Sequence, residues 1–200
     1  MKTAMIDSES SLLTAGVDEV GRGALFGPVV AAAVILPEEV LDDLVSSGVT
    51  DSKKLTEKRR CQLATKIGTV ASDCQIGMAS VWEIDRLNIL QASLLAMKRS
   101  VLKLKLRPDL VLVDGNQEIR DLLIPQRTIV KGDSKCLAIA AASIVAKVWR
   151  DALIVRLAKK YPVYDLTNNK GYGTKKHKQG IVDYGVSPQH RLSFSLGSRD

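Results

Sequence analysis

Residues 12–36 carry the sequence LLTAGVDEVGRGALFGPVVAAAVIL, in which two apolar segments flank a glycine-rich one. The segments 12–17 and 29–36 are short and apolar, as is typical of β-strands. The residues between them begin with Asp18-Glu19-Val20-Gly21-Arg22-Gly23, and the two glycines favour a turn. The sequence therefore predicts a β-hairpin at the start of the fold, with two acids where its first strand ends.

The rest of the chain alternates predicted helices with predicted strands. Apolar residues recur every three or four positions from residue 84 to residue 105, which predicts one long helix. Pro108 ends this helix, and the apolar run 110–113 then predicts a strand covered on both faces. Further helices are predicted over 38–47, 56–67, 134–160 and 174–184, and further strands over 70–79 and 128–130. This order indicates an α/β fold, a mixed β-sheet with helices on its faces.

Length and composition exclude several classes of protein. A chain of 200 residues with 46% hydrophobic and 26% charged residues matches one globular domain. No apolar run approaches the roughly 18 residues of a membrane span, and the N-terminus does not resemble a secretory signal, so we expect a cytoplasmic protein. The three cysteines lie far apart, which argues against a disulfide framework or a zinc site. The net charge of +7 favours a polyanionic partner.

Four acids follow predicted strands: Asp18, Glu19, Asp114 and Asp133. Because adjacent side chains of a regular strand point to opposite faces, Asp18 and Glu19 can serve one site only if the strand bends or ends there. Converging carboxylates repel each other by about 4 kcal/mol per pair at about 4 Å and an effective dielectric near 20, and a cation removes this repulsion. Ligation by oxygen alone suits Mg²⁺ or Mn²⁺, ions that serve phosphodiester hydrolysis.

Structural roles are the alternative for each acid. Asp114-Gly115 is an ordinary turn signal, and Asp133 suits the capping of the helix that follows it. Two adjacent acids at the end of an apolar strand are harder to explain in this way, because they cost solvation energy unless exposed or neutralised. If all four acids are structural, the basic chain would be a noncatalytic nucleic-acid-binding module.

The glycine-rich stretch 15–23 resembles the N-terminal signature of the bacterial type 2 ribonuclease H (ribonuclease HII) family. Further matches to that family follow in chain order: DSKKL at 51–55, NILQA at 88–92, VDG at 113–115, KGDS at 131–134, AAASIVAKV at 140–148, NKGYGT at 169–174 and HRLSF at 190–194. The resemblance spans nearly the whole chain. One departure is YPVYD at 161–165, where relatives are often rich in glycine.

The resemblance implies a ribonuclease H-like fold, and we expect a single domain over 1–200. Roughly residues 161–200 would form a small C-terminal extension, a loop and a helix that carry Tyr172. The implied activity is that of a monomeric endonuclease that hydrolyses the RNA strand of RNA/DNA hybrids. It would also cut on the 5′ side of single ribonucleotides embedded in duplex DNA, leaving 3′-hydroxyl and 5′-phosphate ends.

Specific residues carry these implied roles. The family's metal-binding catalytic acids correspond to Asp18, Glu19, Asp114 and Asp133, with Mg²⁺ or Mn²⁺ as the cofactor. Gly21, Arg22 and Gly23 would read the ribose 2′-hydroxyl, the group that distinguishes RNA from DNA, and Tyr172 would pack against the neighbouring deoxyribose.

Other polar residues near these motifs have two interpretations each. We expect three lysines to contact phosphates: Lys53, Lys54 and Lys147. The alternative is that they form a solvated charged face. Arg150 has the same two interpretations. His177 is predicted to be a polar helix residue rather than a group near the scissile phosphate, and Asn88 either a helix cap or a substrate contact.

Overall fold

The computed structural model describes residues 12–50, 52 and 55–196, and its centre is a mixed β-sheet. The strands are β1 (Thr14–Val20), β2 (Val29–Ile35), β3 (Asp73–Ala79), β4 (Leu110–Asp114) and β5 (Gln126–Ile129), arranged in the order β3-β2-β1-β4-β5. β1 and β2 are antiparallel neighbours, as predicted, whereas β1, β4 and β5 run parallel. The carboxyl ends of these three strands therefore meet at one edge of the sheet.

Helices cover both faces of the sheet. They are α1 (Leu41–Ser46), α2 (Glu57–Val70), α3 (Val81–Leu87), α4 (Ile89–Leu102), α5 (Leu137–Ala158), α6 (Leu166–Asn169) and α7 (Lys175–Tyr184), with 3₁₀ turns at Glu38–Val40, Gly132–Ser134 and Pro162–Tyr164. Side chains of β2 alternate between the two layers: Ala31 and Ala33 pack in the cluster that contains α4, and Ala32 and Val34 pack in the cluster that contains α2 and α5. The predicted α/β fold is confirmed.

The close contact between β1 and α5 depends on small residues. A side-chain carbon built at Gly16 would lie 2.2 Å from the carbonyl carbon of Ala138 and 2.4 Å from the backbone nitrogen of Ile139. Only glycine fits at this crossing, because backbone atoms cannot move aside as a flexible side chain can. The alanine-rich sequence of α5 thus brings its later residues close to the end of β1.

The long helix predicted over 84–105 is wrong, because two helices occupy this region. Asn88 separates α3 from α4 with a φ of 70°, and its side chain accepts hydrogen bonds from the backbone N–H groups of Leu90 and Gln91. Apolar positions before and after the break still reach the same core, so the helical spacing continues across it. The capping role weighed for Asn88 is the one that the structure shows.

The C-terminal part packs around Phe26, which follows the glycine-rich loop. Phe26 is fully buried and belongs to one hydrophobic cluster with Ile154 of α5, Tyr164 and Ile181 of α7. The predicted loop 162–173 also contains the short helix α6 and a 3₁₀ turn. Among the described residues, no helix is both long and apolar enough to span a membrane.

Candidate active site

Two of the predicted acids lie at the carboxyl ends of adjacent parallel strands. Val17 of β1 pairs with Val113 of β4, so the residues that follow them, Asp18 and Asp114, are neighbours across the sheet. Asp18 is buried and Asp114 is half-buried. Open α/β sheets bind ligands outside this edge, so the position is that of a functional site.

Glu19 joins these two acids because the strand ends directly after it. β1 finishes at Val20, and Gly21 then adopts a φ of +92°, in the left-handed region that favours glycine. The backbone N–H of Glu19 donates to Oδ1 of Asp18 over 2.7 Å. All three carboxylates line one cleft. The predicted end of the strand at the glycines is therefore confirmed.

Asp133 lies in the turn that follows β5 and is buried. The backbone N–H of Gly132 donates to Oδ1 of Asp114 over 2.7 Å, which ties this turn to the end of β4. Asp133 is not among the described residues that line the cleft. The capping role considered for Asp133 is wrong, because α5 begins later and its N-cap residue is Cys136.

Burial and neighbouring acids destabilise the ionised forms of Asp18 and Glu19. Burial raises the pKa of Asp18 well above its usual value, and the nearby charges of Glu19 and Asp114 raise it further. Burial also raises the pKa of Glu19, an effect that Arg22 opposes and Asp114 reinforces. Nη1 of Arg22 lies 3.2 Å from Oε1 of Glu19. Arg22 offsets only part of the effect on Glu19, whose pKa stays raised.

Two serines support Asp18, and the sequence interpretation gave neither a site role. A hydrogen bond from Ser143 of α5 lowers the pKa of Asp18, against the larger effect of burial. The hydroxyl of Ser143 lies 2.9 Å from that of Ser52, and both serines are buried. Ser143 is the single polar residue in the stretch 137–146, and this isolation was a signal of its role.

The cleft brings together most of the predicted site residues. It has a volume of about 510 Å³ and is lined by Asp18, Glu19, Val20, Gly21, Arg22, Gly23, Ser52, Asp114, Ser143, Lys147 and Tyr172. The acids, the glycine loop and the half-buried Tyr172 come from distant parts of the chain. Their shared cleft can admit an extended polar ligand.

The predicted basic contacts differ in their surroundings. Lys147 lines the cleft, with Nζ 5.5 Å from the centre of the Tyr172 ring and 2.8 Å from Oδ1 of Asp151. Lys53 and Lys54 lie outside the described residues. Phosphate contact and a solvated face were the two alternatives considered for Arg150. Both are wrong, because its side chain is fully buried.

Two buried arginines hold the loops that line the cleft. The guanidinium of Arg150 donates to the carbonyl oxygens of Pro28, Lys170 and Phe26 over 2.9–3.0 Å. The guanidinium of Arg191 donates to the carbonyl oxygens of Arg22 and Gly27 over 2.8 and 3.0 Å. Such networks cannot be predicted from sequence, because their acceptors are backbone atoms of any residue type.

His177 differs from its prediction as a polar helix residue. It lies in the first turn of α7 but is fully buried, and its ring contacts the carbonyl oxygen of Tyr172. The polar groups that its ring contacts, the carbonyl oxygen of Tyr172 and the ring of His190, lie inside the protein. The residues next to His177 in sequence are polar, so the sequence gave no signal that it is buried.

The donor atoms at the strand ends suit a divalent cation. They are carboxylate and hydroxyl oxygens, which Mg²⁺ and Mn²⁺ prefer, and a cation would relieve the repulsion that raises the pKa of Asp18. In the described ranges, no group of three or more acidic, histidine or cysteine side chains is gathered closely enough to hold one ion. The chemistry of these oxygen donors therefore fits a divalent metal ion.

Comparison with known proteins agrees with this geometry. The family model for ribonuclease HII matches residues 15–196. The chain is 86% identical to a ribonuclease HII of Trichodesmium erythraeum (strain IMS101) over 191 residues, which cover 96% of this chain and 90% of the relative.

Solved structures share the fold over most of their length. Ribonuclease H2 from Pyrococcus horikoshii OT3 superposes with a TM-score of 0.76 at 27% identity, covering 92% of this chain and 94% of that one. Ribonuclease HII of Archaeoglobus fulgidus, solved in complex with PCNA, gives a TM-score of 0.77 at 28% identity and covers 94% and 98%. The chain belongs to the ribonuclease HII family and is a ribonuclease H, a metal-dependent endonuclease that cleaves RNA in RNA/DNA hybrids.

Proposed function

We propose that this ribonuclease H also cuts on the 5′ side of a single ribonucleotide embedded in duplex DNA, leaving 3′-hydroxyl and 5′-phosphate ends. The observation that carries the proposal is the shared cleft, which is lined by acids, by the glycine loop 21–23 and by Tyr172. A group that reads the 2′-hydroxyl beside catalytic acids couples the recognition of one ribonucleotide to cleavage at its phosphate.

The proposed catalytic and metal-binding residues are Asp18, Glu19, Asp114 and Asp133, with Mg²⁺ or Mn²⁺ as the cofactor. Bound there, the metal would supply an activated water and stabilise the leaving oxygen. The chain's own contribution is to aim the carboxylates. Ser143 holds Asp18, and the N–H of Gly132 holds Asp114.

The glycine loop 21–23 is the proposed reader of the ribose. Glycine at position 21 is required by its φ of +92°, and a side-chain carbon there would lie 2.2 Å from Nε of Arg150. At Gly23 no heavy atom lies within 4 Å of such a carbon, so a substrate backbone can approach closely. Arg22, exposed between them, places a cation beside Glu19.

Tyr172 is the proposed platform for the deoxyribose that follows the ribonucleotide. Its ring lies 5.5 Å from Nζ of Lys147 and 5.6 Å from Cζ of Arg150, two cations on the same helix. An aromatic ring backed by cations suits a sugar flanked by phosphates. Lys147 would contact a phosphate, and Lys53 and Lys54 are proposed to do the same.

The experiment uses three matched duplexes that contain no ribonucleotide, one ribonucleotide or a full RNA strand. Each is incubated with the protein and Mg²⁺ or Mn²⁺, and the cuts and their end groups are mapped. We expect no cleavage of the first duplex and a single 5′ cut in the second. A 2′,3′-cyclic phosphate, or no cut in the second duplex, would refute the proposal.

The same proposal includes a monomer that acts in the cytoplasm. All of the proposed site residues belong to one chain, and one cleft of it is lined by Asp18, Glu19, Asp114 and Tyr172, so a duplex substrate requires no second copy. Analytical ultracentrifugation of the protein with and without duplex tests the monomer, and cell fractionation tests the location.

A further inference from the structure

A buried pair of imidazoles connects the Tyr172 loop to the C-terminal segment. Nε2 of His177 lies 3.1 Å from Nε2 of His190, and both rings are buried. At one end, Nδ1 of His177 lies 2.9 Å from the carbonyl oxygen of Tyr172. At the other end, Nδ1 of His190 lies 2.9 Å from the backbone nitrogen of Ser187. These groups form one continuous chain of hydrogen bonds.

The two ends of this chain determine where its protons lie. The backbone N–H of Ser187 points at Nδ1 of His190, and the Ser187 hydroxyl lies 2.9 Å from the same atom, so we assign Nδ1 as the acceptor of both and place the proton of this neutral ring on Nε2. The carbonyl of Tyr172 can only accept, so Nδ1 of His177 carries a proton and Nε2 of that ring is bare. The Nε2–H of His190 then donates to His177, and two neutral rings satisfy every bond.

A third proton would break the chain. An added proton on His177 would place two N–H groups opposite each other at the 3.1 Å contact. Burial lowers the pKa of both rings, that of His190 to about 4. The titratable groups that face the pair are Asp165, which raises the pKa of His177 against the effect of burial, and Tyr164, whose ring packs on both imidazoles.

The same chain closes a ring around the segment that follows the glycine loop. Ala24 forms a β-bridge with Tyr172, and Phe26 forms one with His190. The backbone N–H of Leu25 donates to the carbonyl of Gly171 over 2.9 Å. Residues 24–26 are therefore held between the Tyr172 loop and the C-terminal segment. The imidazole pair connects that loop directly to that segment.

We propose that His177 and His190 are positioning residues that set the distance between Tyr172 and the glycine loop 21–23. Through that distance they set the preference for cleavage at a single ribonucleotide. This inference rests on the proposed function, which assigns the deoxyribose contact to Tyr172.

The first test observes the protons directly. Imidazole ¹⁵N–¹H spectra of the full-length protein should show Nδ1–H on His177 and Nε2–H on His190, assigned by substituting each histidine in turn. Both rings should remain neutral at about pH 6, below the usual histidine pKa of about 6.5. Opposite tautomers, or a protonated ring at that pH, would overturn the inference without any activity measurement.

The second test compares two substitutions of His177 that cannot be protonated. In His177→Asn the amide nitrogen takes the place of Nδ1 and keeps a donor for Tyr172, whereas in His177→Gln it reaches the place of Nε2 and leaves Tyr172 without this donor. The readout is the rate of cleavage at a single ribonucleotide divided by the rate on a long hybrid. We expect this ratio to fall about tenfold in His177→Gln and to recover in His177→Asn.

Tyr172→Ala separates the failure of this inference from the failure of the proposed function. An unchanged ratio in Tyr172→Ala would overturn the assigned role of Tyr172 and this inference with it. A lowered ratio in Tyr172→Ala beside equal ratios in the two His177 variants would overturn this inference alone. If a variant does not fold, as shown by thermal melting, the spectra of the unaltered protein decide the outcome.

Discussion

At the scale of single residues, Asp114 is the acid that affects both of the other acids in the cleft. It ends β4 beside Asp18 of β1 and accepts a hydrogen bond from the N–H of Gly132. Its carboxylate charge raises the pKa of both Asp18 and Glu19. A single substitution at this position therefore changes the electrostatics of the whole cleft.

Replacing Asp114 by Asn keeps the shape and removes one charge from the proposed metal site. We expect the cleavage rate to fall by at least roughly 10³-fold, about 4 kcal/mol of barrier, while duplex binding survives. Asp121→Asn is the matched control, because Asp121 is exposed and its φ of 52° is tolerated by asparagine. Turnover in Asp114→Asn close to that of the control would exclude Asp114 from the site.

Asp18→Asn should stabilise the protein when no metal is added. The raised pKa of Asp18 means that the folded state binds this proton more tightly than the unfolded state, so stability is lost as pH rises from the usual value toward the raised one. At neutral pH the neutral asparagine avoids that loss. Thermal melting should show a higher Tm for the variant without metal and a smaller gain in Tm on adding Mg²⁺. A lower Tm without metal would contradict the electrostatic account.

At the scale of secondary-structure elements, the crossing of β1 and α5 positions the site. Gly16 and Asp18 lie two residues apart on β1 and so face the same side of the sheet. Gly16 touches the backbone of α5 at Ala138, and Asp18 meets Ser143 of the same helix. Any shift of α5 away from β1 therefore moves the support of a candidate catalytic acid.

Gly16→Ala should destabilise the fold and reduce cleavage together. The added carbon meets backbone atoms at 2.2–2.6 Å, and overpacking of this kind costs about 1–3 kcal/mol. Gly68→Ala is the control, since Gly68 lies exposed within α2 with open space around it and should gain about 0.5–1 kcal/mol. Urea denaturation of both variants measures the difference. Equal stability would show that α5 does not depend on this contact.

At the scale of the whole molecule, we expect the excess of basic side chains, a net charge of +7, to favour duplex binding through individual phosphate contacts. Binding should weaken linearly on a log–log plot against salt, with a slope of about −0.9 per neutralised phosphate. Lys53→Ala should make the slope shallower by about one such contact without moving the cut. Lys159→Ala is the control, because Lys159 follows the end of α5, about 18 Å along the helix axis from Lys147. Equal slopes in the two variants would remove Lys53 from the interface.

The catalytic class and the mixed sheet could be predicted from sequence, because both depend on local patterns. Local sequence patterns indicate acids at strand ends, glycines that require a turn and an alanine-rich helix. The family motifs indicate the activity. The activity shown by the family excludes the noncatalytic module that the basic charge also allowed. Helix ends were less predictable. The break at Asn88 leaves the apolar spacing of residues 84–105 intact, so periodicity could not show it.

By itself the sequence determined which residue types are available for the chemistry: oxygen ligands, a glycine loop, one tyrosine between glycines and an excess of basic side chains. Only the tertiary structure decided how they are held. The buried Arg150 binds carbonyl groups from two loops, and His177 pairs with His190 inside the protein. Such contacts join residues far apart in the chain, often through backbone atoms that every residue type carries. Their partners are therefore set by three-dimensional packing, which local sequence patterns do not encode.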